Sequence, residues 1–369
     1  MTSPRLPAPS ATGKGIDLHP MTAALDRVTS RRARHGLPAP TVLVVAPGHR
    51  LAYGDFERRF HCASIDKVMT ATLIGRLVEA GRLRFDAPLG TVLPADDLVG
   101  LPAADGVDIA ADVTVEHLLT HTSGLPDYFV PTRGQHSSAS LPELVAAPDR
   151  RWTRQEILDE VRTLRPVGRP GERFRYSDTA YILLGRIAEE TSGDAYPALL
   201  EREVLERSGM PRSIVPFDDD VTADRLEELD LAPLIVGGVD MSRKPSMVAG
   251  GWGGVVTVAE DLVRFQEALH GGELVRPETL EFMTRPRNRM RAGIHYGAGA
   301  VTLRFGEFMP ILLRGLPEPV GGLGLTAAHM FYYPQQRAHV VLNFHSTHAM
   351  NASFQTHIQI ARLLRGGSR

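Results

Sequence analysis

Ser64 and Lys67 are the two side chains whose types and spacing first suggest chemistry. They sit in Phe60-His61-Cys62-Ala63-Ser64-Ile65-Asp66-Lys67, directly before the apolar-periodic run Val68-Met69-Thr70-Ala71-Thr72-Leu73-Ile74. Serine is a favoured helix N-cap, so the pattern predicts that Ser64 caps a helix running on to a stop at Gly81. Positions three apart share a helix face, which points Lys67 the same way as Ser64. A serine hydroxyl is a weak nucleophile until a neighbouring base takes its proton, and a lysine amine can do this if burial lowers its pKa. Unpaired N–H groups at a helix start also suit a developing oxyanion. The competing reading is an N-cap serine beside a solvated lysine, so the rest of the chain must decide.

Composition narrows the alternatives. The chain has 369 residues, 43% of them hydrophobic, and a formal charge of -2, ordinary for a soluble globular protein. It is long enough for one large or two joined domains. No basic excess points to nucleic acid or an anionic membrane. No apolar run reaches the ~20 residues of a membrane span. The single cysteine, Cys62, excludes an internal disulfide. Met1 to Pro20 is rich in Pro, Ser, Ala and Gly and lacks the apolar core of a secretory signal. The expected compartment is therefore the cytoplasm.

Several elements must position the pair. Residues 1–18 read as a disordered lead-in, and Met21 to His35 as a helix carrying Ala24, Leu25 and Val28. Thr41 to Val45 and Leu51 to Gly54 flank a Pro-Gly turn and predict a hairpin. Val113 to Pro126 predicts a short helix broken by Gly and Pro. A polar loop follows over 127–150, then helices over Trp152 to Leu164, Ala180 to Thr191, Tyr196 to Arg207 and Ala259 to Leu269. Strand character returns at Gly299 to Phe305, Ala328 to Tyr333 and His339 to Phe344, before a closing helix from Asn351 to Leu364. Strands at both chain ends with helices between predict an α/β domain plus an all-α region: an antiparallel sheet domain from 19–75 and 250–369, and a mostly helical insert from 76–249. The site is expected at their junction.

With these segments in order, the chain resembles the serine β-lactamase/DD-peptidase-like family, including β-lactamase-related esterases and class C β-lactamases. The resemblance spans roughly residues 20–365 and rests on four landmarks. They are Ala63-Ser64-Ile65-Asp66-Lys67, His117-Leu118-Leu119-Thr120-His121-Thr122-Ser123-Gly124-Leu125, Pro170-Gly171 with Phe174-Arg175-Tyr176-Ser177-Asp178, and Gly251-Trp252-Gly253-Gly254. The resemblance implies a β-lactamase/transpeptidase-like fold, with Ser64 as acylated nucleophile and Lys67 as the amine assisting its deprotonation. It makes Tyr176 the phenol that shuttles a proton. Asp178 stands where the family often has Asn, which keeps an acceptor for Lys67 but loses an amide donor. A carboxylate there should raise the Lys67 pKa. The family's third motif, Lys or His, then a small or hydroxylated residue, then Gly, matches Gly322, Leu323 and Gly324, with the Leu325 N–H left to complete an oxyanion hole.

The cation and hydroxyl that hold a substrate carboxylate in penicillin-recognising members are thus absent. That favours an esterase or transacylase, passing an acyl group from a small-molecule donor to water or to an amine or alcohol, over a β-lactamase or D-Ala-type peptidase. A non-catalytic ligand-binding descendant is the rival from another class. His345 or His348 is a candidate replacement for the lost cation if it faces the pocket. No cofactor and no metal are expected. His117 and His121 have helical zinc-ligand spacing but lack the H-E-x-x-H order. Gly322-Leu323-Gly324-Leu325-Thr326-Ala327 fits G-x-G-x-x-A but lacks a βαβ context. Cys62, beside an apolar helix, reads as buried filling rather than as a second nucleophile.

Overall fold

The computed structural model describes residues 19–216, 228–248 and 254–366. The elements used below are helices α1 (His19–Ala33), α2 (Asp66–Glu79), α3 (Asp178–Ser192), α4 (Ala259–His270) and α5 (Met350–Gly366). The strands are β1 (Thr41–Ala46), β2 (His49–Tyr53), β3 (Asn288–Arg291), β4 (Ile294–Tyr296), β5 (Val301–Leu303), β6 (Val320–Gly324), β7 (Ala328–Tyr333) and β8 (Ala338–Asn343). They form one eight-stranded sheet in the order β2-β1-β8-β7-β6-β5-β4-β3, with every neighbouring pair antiparallel. The first hairpin thus joins the C-terminal strands through β1 and β8, where Thr41 faces Asn343 and Val45 faces His339.

Strand periodicity then sorts side chains onto two faces. Val42 and Val44 of β1, Phe331 and Tyr333 of β7, and Val340 and Leu342 of β8 bury one face with Leu25 of α1 and Ile360 and Leu364 of α5. Leu43, Met330 and Val341 point the other way and join the larger core, which includes Val68, Met69, Leu73 and Ile74 of α2, Leu262 and Phe265 of α4, and Ile182 to Leu184 of α3. The predicted antiparallel sheet from both chain ends, flanked by helices, is present. α2 is buried along most of its length, which explains its apolar composition all round.

Two expectations change. Ser64 does not cap α2: it lies inside a 3-10 turn, Ala63–Ile65, and the α-helix begins at Asp66. The polar stretch 127–150 contains a short helix, Leu141–Ala146. The strands β3, β4 and β6 were not legible in the sequence, since β6 is Val-Gly-Gly-Leu-Gly and the other two are short. The glycines of β6 have a steric purpose. A Cβ on Gly322 would lie 3.1 Å from Val68 Cγ2, and one on Gly324 would lie 2.9 Å from the Cys62 carbonyl oxygen. The bare backbone lets β6 press against the turn that carries Ser64.

Candidate active site

The serine turn is held from both sides. Cys62 N–H donates to Val255 O at 3.1 Å, and Phe60–His61 pairs with Val256–Thr257. Ala63, directly before Ser64, has φ +48, a left-handed conformation unusual for a residue with a side chain. Such outliers persist only where the surroundings over-determine them. Here β6 and the Cys62 anchor do so, and Ser64 is left half-buried at the edge of two pockets.

One helical turn on, Lys67 is buried with its Nζ 3.4 Å from Ser64 Oγ and 2.5 Å from Asp178 Oδ1. Asp178 is brought there by the start of α3, whose N-cap is Ser177. The Lys67 ammonium also stands 5.4 Å from the centre of the Tyr176 ring and 5.3 Å from that of Tyr181. Burial alone would lower the Lys67 pKa, but the carboxylates of Asp178 and Asp66 outweigh it, and the amine is held above its ordinary value. It is therefore protonated at rest.

Tyr176 is likewise fully protonated. Burial, then the charge on Asp178, pushes its phenol well above the usual range, against a smaller lowering from the Ser64 hydroxyl. Its oxygen is buried without a hydrogen bond of good geometry. The ring stacks on His121 at 4.4 Å, and His121 Nδ1 accepts the Ser177 N–H at 3.1 Å. Burial, reinforced by the Lys67 charge, keeps His121 neutral. His117 instead closes a capping box, its Nδ1 accepting from Thr114 N–H at 3.2 Å. The two histidines are thus engaged with different partners.

Ser64, Tyr176, Asp178, Gly324 and Leu325 line the wider pocket, which has a volume of about 1360 Å³ including its open mouth, and Lys67 reaches Ser64 and Asp178 from the narrower pocket beside it. Among the described residues no hydrogen bond to the Leu325 N–H is found, so that donor is available. Gly322 faces α2 rather than the pocket. Neither candidate replacement cation is there. His345 is buried against Thr41, 3.1 Å from its hydroxyl, and burial pulls its pKa down to about 3, while His348 is exposed and lines neither pocket. Among the described residues the cations at the wider pocket are Arg175 and Arg291. Cys62 is fully buried, and burial pushes its thiol well above the usual range, so it is inert. Of the Gly251-Trp252-Gly253-Gly254 landmark, Gly251, Trp252 and Gly253 lie outside the described residues.

Two carboxylates escaped the sequence reading. Asp66 is 2% exposed, and Asp127 is buried with its oxygens accepting N–H groups of Phe129, Val130 and Asp178 at 3.3, 3.1 and 3.0 Å. Burial is the main cause that lifts each to about 7, and the charge on Asp178 adds to it. A lone Asp in a sequence reads as solvated, and only the fold reveals the crowding. The one available signal was that Asp66 adjoins Lys67 on a buried helix.

A model of the Beta-lactamase family matches residues 26–364, and the chain belongs to that family. Penicillin-binding protein 4 of Amycolatopsis lactamdurans is 29% identical over 272 residues, covering 69% of this chain but 64% of that one. The chain therefore spans less than two thirds of that relative's length. Esterase EstB of Burkholderia gladioli is 28% identical over 354 residues, covering 85% of this chain and 86% of its own. Among solved structures, a D-stereospecific amidohydrolase from Streptomyces sp. superposes with a TM-score of 0.70 at 22% identity, covering 88% of this chain and 94% of that one, which shows the shared fold.

The raised carboxylates predict how stability varies with pH. Between their ordinary value of 3.8 and about 7, folded Asp66 and Asp127 keep protons that the unfolded chain has released. Folding is thus favoured below this window, and that contribution is lost as pH rises through about 7. Buried neutral histidines such as His121 and His345 act in the opposite direction, so the acid is read by difference: Asp66→Asn should raise the melting temperature more at pH 8 than at pH 5. An Asp66→Asn effect that does not grow between pH 5 and pH 8 would contradict the placement of Asp66.

Proposed function

We propose that this protein is a serine hydrolase or acyltransferase that carries the acyl group of an ester or amide on Ser64, using substrates without a recognised carboxylate. The observation that carries the reading is the Ser64–Lys67–Asp178 chain, with contacts of 3.4 and 2.5 Å, at the mouth of a pocket shared with Tyr176 and Leu325. Family membership and the extended match to an esterase support it. Water as acceptor gives hydrolysis, and an amine or alcohol gives acyl transfer by the same residues. A cytoplasmic location belongs to the reading, in keeping with a chain whose single cysteine forms no internal disulfide.

The resting protonation states set the mechanism. Ser64 Oγ forms a bond to the acyl carbon while the carbonyl electron pair moves to oxygen, received by the N–H groups of Ser64 and Leu325. The serine proton cannot simply pass to Lys67, which is already an ammonium. It passes as Lys67 releases another proton to Asp178 on its far side, so the pair acts as one base. When the carbonyl re-forms and the leaving group departs, the neutral phenol of Tyr176 gives its proton to the leaving oxygen or nitrogen. Tyr176 is then reprotonated from the Lys67–Asp178 pair, and the net transfer is from Ser64 to the leaving group. Water or another acceptor reverses the sequence.

A β-lactamase or D-Ala-type peptidase is the less favoured reading, because Gly322 and Leu323 offer no partner to a carboxylate beside the scissile bond, and Asp178 repels it. Binding without catalysis is opposed by the intact contact of Lys67 with the serine.

Two outcomes test the proposal. Ser64→Ala should reduce turnover of p-nitrophenyl butyrate by roughly 10³-fold or more, while the wild type should be acylated faster by that ester than by a chromogenic cephalosporin. Retained ester turnover in the variant, or faster reaction with the cephalosporin, would count against it. In Asp178→Asn no carboxylate accepts the relayed proton, and Lys67 must itself be neutral to act. The ascending limb of kcat/KM should move to higher pH, with a loss at pH 7 on the order of 10²-fold or more, the usual scale of acid–base assistance. An unmoved limb would mean that Lys67 works without Asp178.

A further inference from the structure

Beside the serine, a narrower pocket opens between α2 and α3, lined by Ser64, Asp66, Lys67, Thr70, Tyr181 and Tyr196 among others. Its polar inventory is lopsided. Among the described residues its one ammonium, Lys67, is committed to Asp178 and Ser64. Against it stand the carboxylates of Asp66 and Asp178, so when both are ionised the pocket has one negative charge uncompensated. Asp66 Oδ2 is buried and has no hydrogen-bond partner. A buried carboxylate oxygen left bare is costly, and a native site that holds one calls for a partner.

Two further side chains of the pocket also present acceptors, Tyr196 and His61. Thr70 has one hydroxyl proton, given to the Asp66 carbonyl at 3.2 Å. The 2.7 Å contact between Thr70 Oγ1 and Tyr196 Oη must then use the tyrosine proton, which leaves the phenol oxygen's lone pairs free. His61 is kept neutral by burial and donates Nε2–H to Ser242 O at 2.8 Å, so its Nδ1 is an acceptor. Around these lie apolar side chains, Ile182, Leu234, Val236 and Met247. Surplus negative charge, these free acceptors and an apolar wall complement one chemical group: a protonated amine on an apolar frame.

We infer that the narrow pocket takes the acyl half of the substrate by a protonated amine seated on Asp66, so that the donors are amino-acyl esters or amides with an apolar side chain. The inference rests on the acyl-Ser64 reading and adds the substrate class. Asp66 would then be a specificity-determining residue. The alternative is a purely structural acid, favourable at the first residue of α2 through the helix dipole and through its attraction to Lys67. A structural acid would affect all substrates alike.

The test compares phenylalanine methyl ester with its N-acetyl counterpart, each as both enantiomers, with p-nitrophenyl butyrate as a neutral reference at pH 7. The free amine should be favoured in kcat/KM by about tenfold or more, the scale of one charge-assisted contact, in at least one enantiomeric series. Asp66→Asn should bring that ratio close to one. Equal values for the two esters in the wild type, with butyrate still turned over, would overturn the inference and leave the acyl-Ser64 reading standing. A ratio unchanged in Asp66→Asn would assign the preference to another residue and overturn the role of Asp66. Should that variant not fold, calorimetry on the wild type compares 2-phenylethylammonium with 2-phenylethanol, which differ in the charged group. Tighter binding of the ammonium by about tenfold or more is expected, and equal binding would overturn the proposal even if Ser64 proved unreactive.

Discussion

The ion pair between Lys67 and Asp178 is the interaction on which the site depends. Both partners are largely buried, and a charge in that position is stable only while the other is present. Their 2.5 Å contact joins α2, which carries the serine turn, to α3, which follows directly from Tyr176. The pair also sets the protonation of everything nearby. Asp178 keeps Lys67 an ammonium and helps keep Tyr176 a phenol, and its charge contributes to holding Asp66 and Asp127 near neutrality. On the acyl-Ser64 reading no free base stands beside the serine at rest, and proton movement must be concerted along the chain of contacts.

The sheet supplies the second constraint. Ser64 sits on a turn with a left-handed alanine before it, and such a turn needs a rigid backing. β6 provides one because its glycines admit the backbone of Cys62 and Ala63 at contact distance. Gly322, which stands where the family's third motif has a cation, therefore also helps fit β6 tightly against the turn that carries Ser64. Restoring a lysine at Gly322 would require Val68 and the Ile65 backbone to yield, since a Cβ there already lies 3.1 Å from Val68 Cγ2 and 3.3 Å from Ile65 Cα.

Much of this was legible in the sequence, for identifiable reasons. Ser64 and Lys67 stood out because three-residue spacing on an apolar helix is a local pattern, and the hairpin of β1 and β2 because its turn and its β-branched run are local too. Tyr176 and Asp178 came from resemblance, since nothing local ties them to Ser64. Asp66 and Asp127 were missed because their significance is collective: each becomes unusual only when three carboxylates and one amine share a buried volume. The helix cap assigned to Ser64 failed for a related reason. A serine before an apolar run satisfies the local rule, whereas the close approach of β6 and the Cys62–Val255 bond select a 3-10 turn. Glycine-rich β6 was hidden because glycine has no strand preference of its own, and packing against α2 decides its conformation.

The central claim is that the acyl group is carried on Ser64 and that Asp178 enables this through Lys67. Intact-mass spectrometry of the protein after brief exposure to a fluorophosphonate, followed by peptide mapping, addresses it directly. The account predicts a single adduct on the peptide containing Ser64, lost in Ser64→Ala and formed much more slowly in Lys67→Ala. An adduct on Cys62, or labelling of Ser64 at an unchanged rate without Lys67, would contradict it.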